Sequence, residues 1–215
     1  MKALLFLNGE APKTFPKLSD YNLIACSDGA FHYLKQKKFP IHKLDLIAGD
    51  FDSHSGNDDI IYQNKFIHTP DQNKTDFHKV LEILQQKGIT KIDIFGGSGR
   101  EMDHFLGNLC AAFRFHNELD ITFFDEFGKH FFIPKNMVLH NVLGKMISLY
   151  PFPSAKNIIT NGLNWELSNE NLDITTRIGT RNFAIKDSIS IKYSEGDLIV
   201  FIGAEVNIYK HNQMP

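Results

Sequence analysis

The sequence is poor in cysteine, tryptophan, net charge and long apolar runs, and each shortage removes a class of protein. Only Cys26 and Cys110 carry thiols, and neither belongs to a Cys-x-x-Cys pair. That argues against a disulfide framework or a cysteine zinc site. Because each lies in an apolar segment, two buried free thiols are expected. The histidines show no metal-ligand spacing, and no serine or cysteine stands in a recognisable nucleophile arrangement. Lys and Arg total 23 against 25 Asp and Glu, a formal charge of −2. Lys37-Lys38 is too short a basic run to argue for nucleic acid or an anionic membrane. No stretch approaches the roughly 20 apolar residues of a membrane span. The apolar start, Ala3 to Leu7, stops at Asn8-Gly9-Glu10 with no small-residue cleavage site behind it, which is unlike a signal peptide. A cytoplasmic setting is expected. Internal repeats and low-complexity segments are also lacking.

What remains is a chain of 215 residues, long enough for one or two domains with a sizeable core. Strand-like and helix-like segments alternate in its first half. Strands are expected at 3–7, 23–26, 44–48, 65–69, 92–95 and 119–124. Helices are expected at about 29–38, from 76 to Gly88, and at about 103–116. Phe77, Val80, Leu81 and Leu84 form the middle helix's apolar stripe, Gly88 is a good residue just past its end, and Thr75 or Asp71 could cap its start. Alternation of this kind is the signature of a parallel α/β sheet. Beyond Asp125 the helical stripes cease. Short strand-like runs follow at 131–133, 145–150, 157–160, 184–193 and 198–202, punctuated by turn pairs such as Asn161-Gly162. The fold class is thus α/β, with a parallel-sheet domain over 1–125 followed by an all-β sandwich domain over 126–215.

The chemistry centres on Leu46-Ile47-Ala48-Gly49-Asp50-Phe51-Asp52-Ser53. A short apolar run ends in glycine and then two carboxylates one residue apart, which places Asp50 and Asp52 at or just past a strand's C-terminal end. Ligands of open α/β sheets bind outside those ends. Paired carboxylates there suit a hard cation such as Mg²⁺ carrying phosphates, or they cap a turn. Asp28, the Asp50/Asp52 pair, Asp71 with Asp76, and Asp103 all follow strands, so their loops converge on one edge. An edge so acidic implies bound cations, and Mg²⁺ with a polyphosphate fits. Asp76 and Asp103 also sit where a first-turn carboxylate favours the helix dipole. The loop Gly96-Gly97-Ser98-Gly99 offers backbone N–H groups for phosphate, although neither a Walker A loop nor the dinucleotide fingerprint is present. Arg100 is its natural phosphate partner. His104 reads as a structural or capping histidine rather than a catalytic base.

Taken together, Ser27-Asp28-Gly29-Ala30, Gly49-Asp50-Phe51-Asp52-Ser53, Asp71-Gln72-Asn73-Lys74-Thr75-Asp76, Gly96-Gly97-Ser98-Gly99 and Asp103-His104 with Gly107-Asn108 resemble the thiamine pyrophosphokinase family in order and spacing. Gly162-Leu163-Asn164-Trp165-Glu166-Leu167 is similar to its Gly-Leu-x-Trp-x-Leu segment. The resemblance implies a homodimer that transfers diphosphate from ATP to the thiamine hydroxyl with Mg²⁺, releasing AMP, with active sites at the subunit interface. It implies catalytic roles for Asp50, Asp52, Asp76 and Asp103, the first three as metal ligands. It implies ATP contacts from Gly49, Ser53, Lys74, Thr75, Gly96, Gly97, Gly99, Arg100, His104 and Asn108. Thiamine contacts would come from Asp28, Gln72, Asn182 and Trp165, the tryptophan from the partner subunit. The chain departs from the pattern in three places. Ala30 stands where a second glycine is common, Arg100 lies three residues before Asp103 with Glu101 in the usual place, and Arg181-Asn182 replaces a Ser-Asn pair.

Two other readings remain. An apolar strand followed by Asp-x-Asp also opens haloacid-dehalogenase-like phosphatases, where Asp50 would be a nucleophile and Asp52 an acid/base. That pair belongs on a first strand, and here two candidate strands precede it. A non-catalytic nucleotide-binding regulatory protein is the other, against which stand intact carboxylates in every loop.

Overall fold

The computed structural model describes residues 1–49, 62–69, 71 and 73–206. The expected site residues Asp50, Asp52, Ser53 and Gln72 lie outside that set. The chain divides into two compact units, Met1–Glu126 and Phe127–Pro215.

The first unit is built on β1 (Lys2–Phe6), β2 (Leu23–Ser27), β3 (Leu46–Gly49), β4 (Phe66–His68), β5 (Lys91–Phe95) and β6 (Asp120–Phe124). They lie in the order β4-β3-β2-β1-β5-β6, and every pairing is parallel. Ala3, Leu4, Leu5 and Phe6 are all fully buried, which is why β1 reads as an unbroken apolar run rather than an alternation. Three helices accompany the sheet among the described residues: α1 (Asp28–Gln36), α2 (Asp76–Gln86) and α3 (Met102–Phe115). α1 buries Ala30, Phe31, Tyr33 and Leu34, and α2 buries the expected stripe of Phe77, Val80, Leu81 and Leu84. Of the two candidate caps of α2, Thr75 serves, accepting a hydrogen bond from the His78 N–H at 3.2 Å. Gly88 ends that helix at φ 77°, with its N–H on Gln85 O (2.9 Å) and the Ile89 N–H on Leu84 O (3.1 Å). α1 stops in the same way, but with Lys38 in the left-handed region at φ 56° and the Phe39 N–H on Leu34 O, ahead of Pro40. β1 and β2 precede β3 in the chain, so the Asp-x-Asp segment does not follow a first strand.

The second unit contains no helix among its described residues. Its strands are β7 (Gly128–Ile133), β8 (Asn136–Leu139), β9 (Lys145–Asn161), β10 (Ser168–Asp173), β11 (Gly179–Phe183), β12 (Ile189–Lys192) and β13 (Glu195–Val206). They pair antiparallel in the order β7-β13-β9-β12-β8, with β10 and β11 also on β9. One core joins them, including Ile133, Ile147, Leu149, Ile158, Leu172, Ile191 and Val200. This is the all-β unit expected from the sequence, with differences in detail. β9 is one strand of 17 residues where two runs were expected, because it carries on through Pro151 and Pro153 beside a register shift in its pairing with β13. The expected run 184–193 contains strand only at Ile189–Lys192.

Cys26 is buried in β2 as expected. Cys110 is not: it lies on the exposed side of α3, whose buried residues are Leu109, Ala111 and Ala112. No described helix is long and apolar enough to cross a membrane.

Candidate active site

β2, β3, β4 and β5 end at Ser27, Gly49, His68 and Phe95, and because they run parallel these ends share one edge of the sheet. A cleft of about 370 Å³ opens there. Asp28, Asp76, Glu101 and Asp103 contribute its carboxylates, and Lys74, Lys79 and Arg100 its cations.

Asp28 is the first residue of α1 and is buried, with Oδ1 accepting from the Gly29 N–H at 2.6 Å. A Cβ on Gly49 would fall 2.3 Å from its Cγ. The glycine that closes β3 therefore makes room for the carboxylate that opens α1. Burial, with the Asp28 charge adding to it, pushes the Cys26 thiol well above its ordinary range.

Asp76 opens α2 and faces Lys79 one turn on, with Nζ 3.2 Å from Oδ1. Lys79 is only 6% exposed and also donates to the Thr69 carbonyl at 2.7 Å. The sequence reading missed Lys79. Its signal was the i,i+3 spacing from Asp76, which places both on one face of a helix. The edge is consequently less bare of positive charge than its carboxylates suggest.

Lys74 donates to both Glu82 oxygens, at 2.7 and 2.9 Å, and this pairing raises its pKa. Asp71 shapes the turn before α2: its Oδ1 accepts from the Asn73 N–H (2.9 Å) and side-chain amide (3.2 Å), and the backbone bond chiefly holds its carboxyl below the usual range.

The glycine-rich loop is explained first by close packing. The carbonyls of Gly96 and Ser98 accept from the N–H groups of Gly9 and Glu10, both at 2.7 Å. A Cβ on Gly96 would lie 2.2 Å from Leu7 O, and one on Gly97 would lie 2.5 Å from the Phe123 ring. Gly97 and Gly99 line the cleft, and Asn108 secures the loop to α3 by donating to Gly97 O at 2.9 Å. Arg100 donates through Nη1 to Asn8 Oδ1 at 2.9 Å. Asn8 was read only as the turn after β1, yet a Cβ on Gly29 would meet its Nδ2 at 2.5 Å. It thus packs closely against the start of α1 and accepts a hydrogen bond from Arg100. Asp103 accepts from the His104 N–H at 2.9 Å, and His104 Nε2 stands 3.7 Å from Glu101. Among the described residues no three His, Cys, Asp or Glu side chains are placed to share a metal ion.

The two candidate residues of the second unit come together. Asn182 accepts from the Trp165 N–H at 3.1 Å and donates to the Trp165 carbonyl at 2.7 Å. Trp165 rests edge-on against Phe183, 5.4 Å between ring centroids, and is 54% exposed.

The sequence and the fold have known counterparts. Residues 16–123 match the family model described as "Thiamin pyrophosphokinase, catalytic domain", and residues 130–198 match "Thiamin pyrophosphokinase, vitamin B1 binding domain". The chain is 28% identical over 197 residues to thiamin pyrophosphokinase 1 of Caenorhabditis elegans, covering 86% of this chain and 80% of that one. It is 27% identical over 227 residues to thiamine pyrophosphokinase 1 of rice, covering 92% and 85%. Among solved structures, the thiamin pyrophosphokinase from Candida albicans superposes with a TM-score of 0.81 at 17% identity, covering 95% of this chain and 89% of that one. The thiamin pyrophosphokinase family protein from Enterococcus faecalis gives 0.80 at 22%, covering 95% and 100%. With both family models matched in order along the chain, the protein belongs to the thiamin pyrophosphokinase family of enzymes.

Proposed function

We propose that the chain transfers the terminal diphosphate of ATP to the hydroxyl of thiamine, giving thiamine diphosphate and AMP. The hydroxyl oxygen bonds to the β-phosphorus, the bond from that phosphorus to the αβ-bridging oxygen breaks, AMP leaves with that oxygen, and the hydroxyl proton is released. The observation that carries this reading is the gathering of Asp28, Asp76 and Asp103 with Lys79 and Arg100 on one cleft, in a chain of this family. Phosphoryl chemistry asks the protein mainly to position reactants and neutralise charge.

The acidic donor set is oxygen throughout, which suits Mg²⁺. Asp50, Asp52 and Asp76 are its proposed ligands, and the ion would neutralise phosphate charge there. Asp103 serves the nucleotide from the first turn of α3. Gly49, Ser53 and Thr75 border the ATP together with Gly96, Gly97, Gly99, His104 and Asn108, and Lys74 exchanges Glu82 for a phosphate oxygen. Asp28 and Gln72 hold the cationic thiamine. Trp165, exposed and with its backbone held by Asn182, offers it a π-face worth about 0.5–2 kcal/mol. In the proposed homodimer that tryptophan serves the partner's cleft. A reducing, cytoplasmic setting accords with the exposed free thiol of Cys110.

The test is dependence on the acceptor. Purified protein with Mg²⁺ and ATP should release AMP only when thiamine is added. AMP or ADP formed at the same rate without thiamine would reject the reading.

A further inference from the structure

Ser27 closes β2 and occupies the N-cap position of α1, with extended backbone at φ −72° and ψ 158°. A serine in that place ordinarily accepts a hydrogen bond from a first-turn N–H. Here the side chain makes no capping bond. The residue is 4% exposed, it lines the cleft, and among the described residues nothing hydrogen-bonds its Oγ. A hydroxyl removed from water and left unpartnered is costly, and native structures leave few of them. In an enzyme cleft the missing partner is most economically the substrate.

The neighbouring charge selects which substrate. Asp28 follows directly, buried, with its carboxylate packed against Gly49. A phosphate oxygen at Ser27 would meet that negative charge in a poorly screened setting. A nitrogen heterocycle belonging to a cationic molecule would meet it favourably. Thiamine has both parts, a thiazolium that the carboxylate attracts and a neutral aminopyrimidine whose ring nitrogens accept hydrogen bonds.

We infer that Ser27 is a substrate-contacting residue, its Oγ–H donating to a ring nitrogen of bound thiamine. The inference rests on the thiamine reading above and assigns it a residue hitherto important only as the neighbour of Asp28.

The experiment compares wild type with Ser27→Ala and Ser27→Cys, using calorimetric titration with thiamine, steady-state kinetics and melting of the ligand-free proteins. A contact residue and a structural residue give opposite signatures. Losing the contact should weaken thiamine binding and raise the KM for thiamine about tenfold, the worth of one neutral hydrogen bond. The KM for ATP should stay within about twofold, and the ligand-free Tm should hold or rise because an unpartnered polar group has gone. Cysteine, similar in shape but a weak donor, should behave like alanine. If both variants bind thiamine as tightly as wild type, the contact is overturned. A raised KM for ATP alone would overturn it in favour of a phosphate contact, and a lowered ligand-free Tm with unchanged thiamine affinity in favour of a structural role. Wild-type protein that binds no thiamine would overturn the parent reading and this contact with it.

Discussion

At the scale of single residues, the site depends on charges kept buried and satisfied. Lys79 is almost fully enclosed, yet its ammonium has the Thr69 carbonyl and the Asp76 carboxylate within hydrogen-bond reach. That is the condition under which a buried cation is tolerated. Asp28 is accommodated by the absent side chain of Gly49. The same burial separates the two thiols. Cys26 is enclosed in β2 with its pKa pushed up, so little reactive thiolate forms, whereas Cys110 faces solvent. An aromatic disulfide reagent should therefore titrate one thiol quickly in the native chain and two in denaturant. Two fast thiols in the native chain would contradict the placement of Cys26. The reading from sequence erred on Cys110 because an apolar neighbourhood along the chain does not say which side of a helix a position occupies.

Elements carry the next level of the argument, and glycine marks where they press together. Gly88 and Gly96 both adopt positive φ, 77° and 71°, but their surroundings differ. A Cβ on Gly88 would meet only the Met1 Cε at 3.6 Å, whereas one on Gly96 would lie 2.2 Å from the Leu7 carbonyl oxygen. Gly88→Ala should thus cost about 1 kcal/mol of stability, the penalty for a left-handed non-glycine residue, and leave turnover unchanged. Gly96→Ala adds a collision with backbone, so it should cost more and lower turnover by displacing the loop beside Arg100. Equal losses in urea unfolding would contradict the close approach of the loop to the end of β1. Much of this layer was legible in the sequence, because β1, β2 and β3 are nearly continuous apolar runs and α2 shows a clean stripe with a cap and a terminal glycine. β10 and β11 were not legible. Their sequences, Ser-Asn-Glu-Asn-Leu-Asp and Gly-Thr-Arg-Asn-Phe, are largely polar, and both pair with β9 through register shifts that break the alternation. β9 was expected as two runs, 145–150 and 157–160, whereas in the fold its partners hold it as one strand. At the site, the carboxylate convergence could be inferred from strand order alone. Asn8 could not, since its role arises from contacts with Gly29 and Arg100 that no local pattern encodes, and for Lys79 only the i,i+3 spacing from Asp76 was legible, not its contact with Thr69.

At the scale of the whole molecule, the residues proposed for function are distributed over both units of the chain. Asp28 and Asp52 belong to the first, and Trp165 with Asn182 to the second. The homodimer proposal assigns the tryptophan to the partner's cleft, and a mixed dimer examines this. When an Asp52→Asn chain is combined with a Trp165→Ala chain, a shared-site dimer has one active site with both lesions and one with neither. It should recover about half of wild-type activity per dimer, since residues acting as a unit do not lose activity additively. If each chain supplies its own Asp52 and Trp165, every site carries a lesion and activity should stay at the level of the separate variants. The central claim is narrower than either assembly and concerns the bond that breaks. Phosphorus NMR of the protein turning over ATP and thiamine with Mg²⁺ follows it directly. The account predicts AMP and thiamine diphosphate accumulating in equal amounts from the first turnovers, and the appearance of ADP with thiamine monophosphate instead would contradict it.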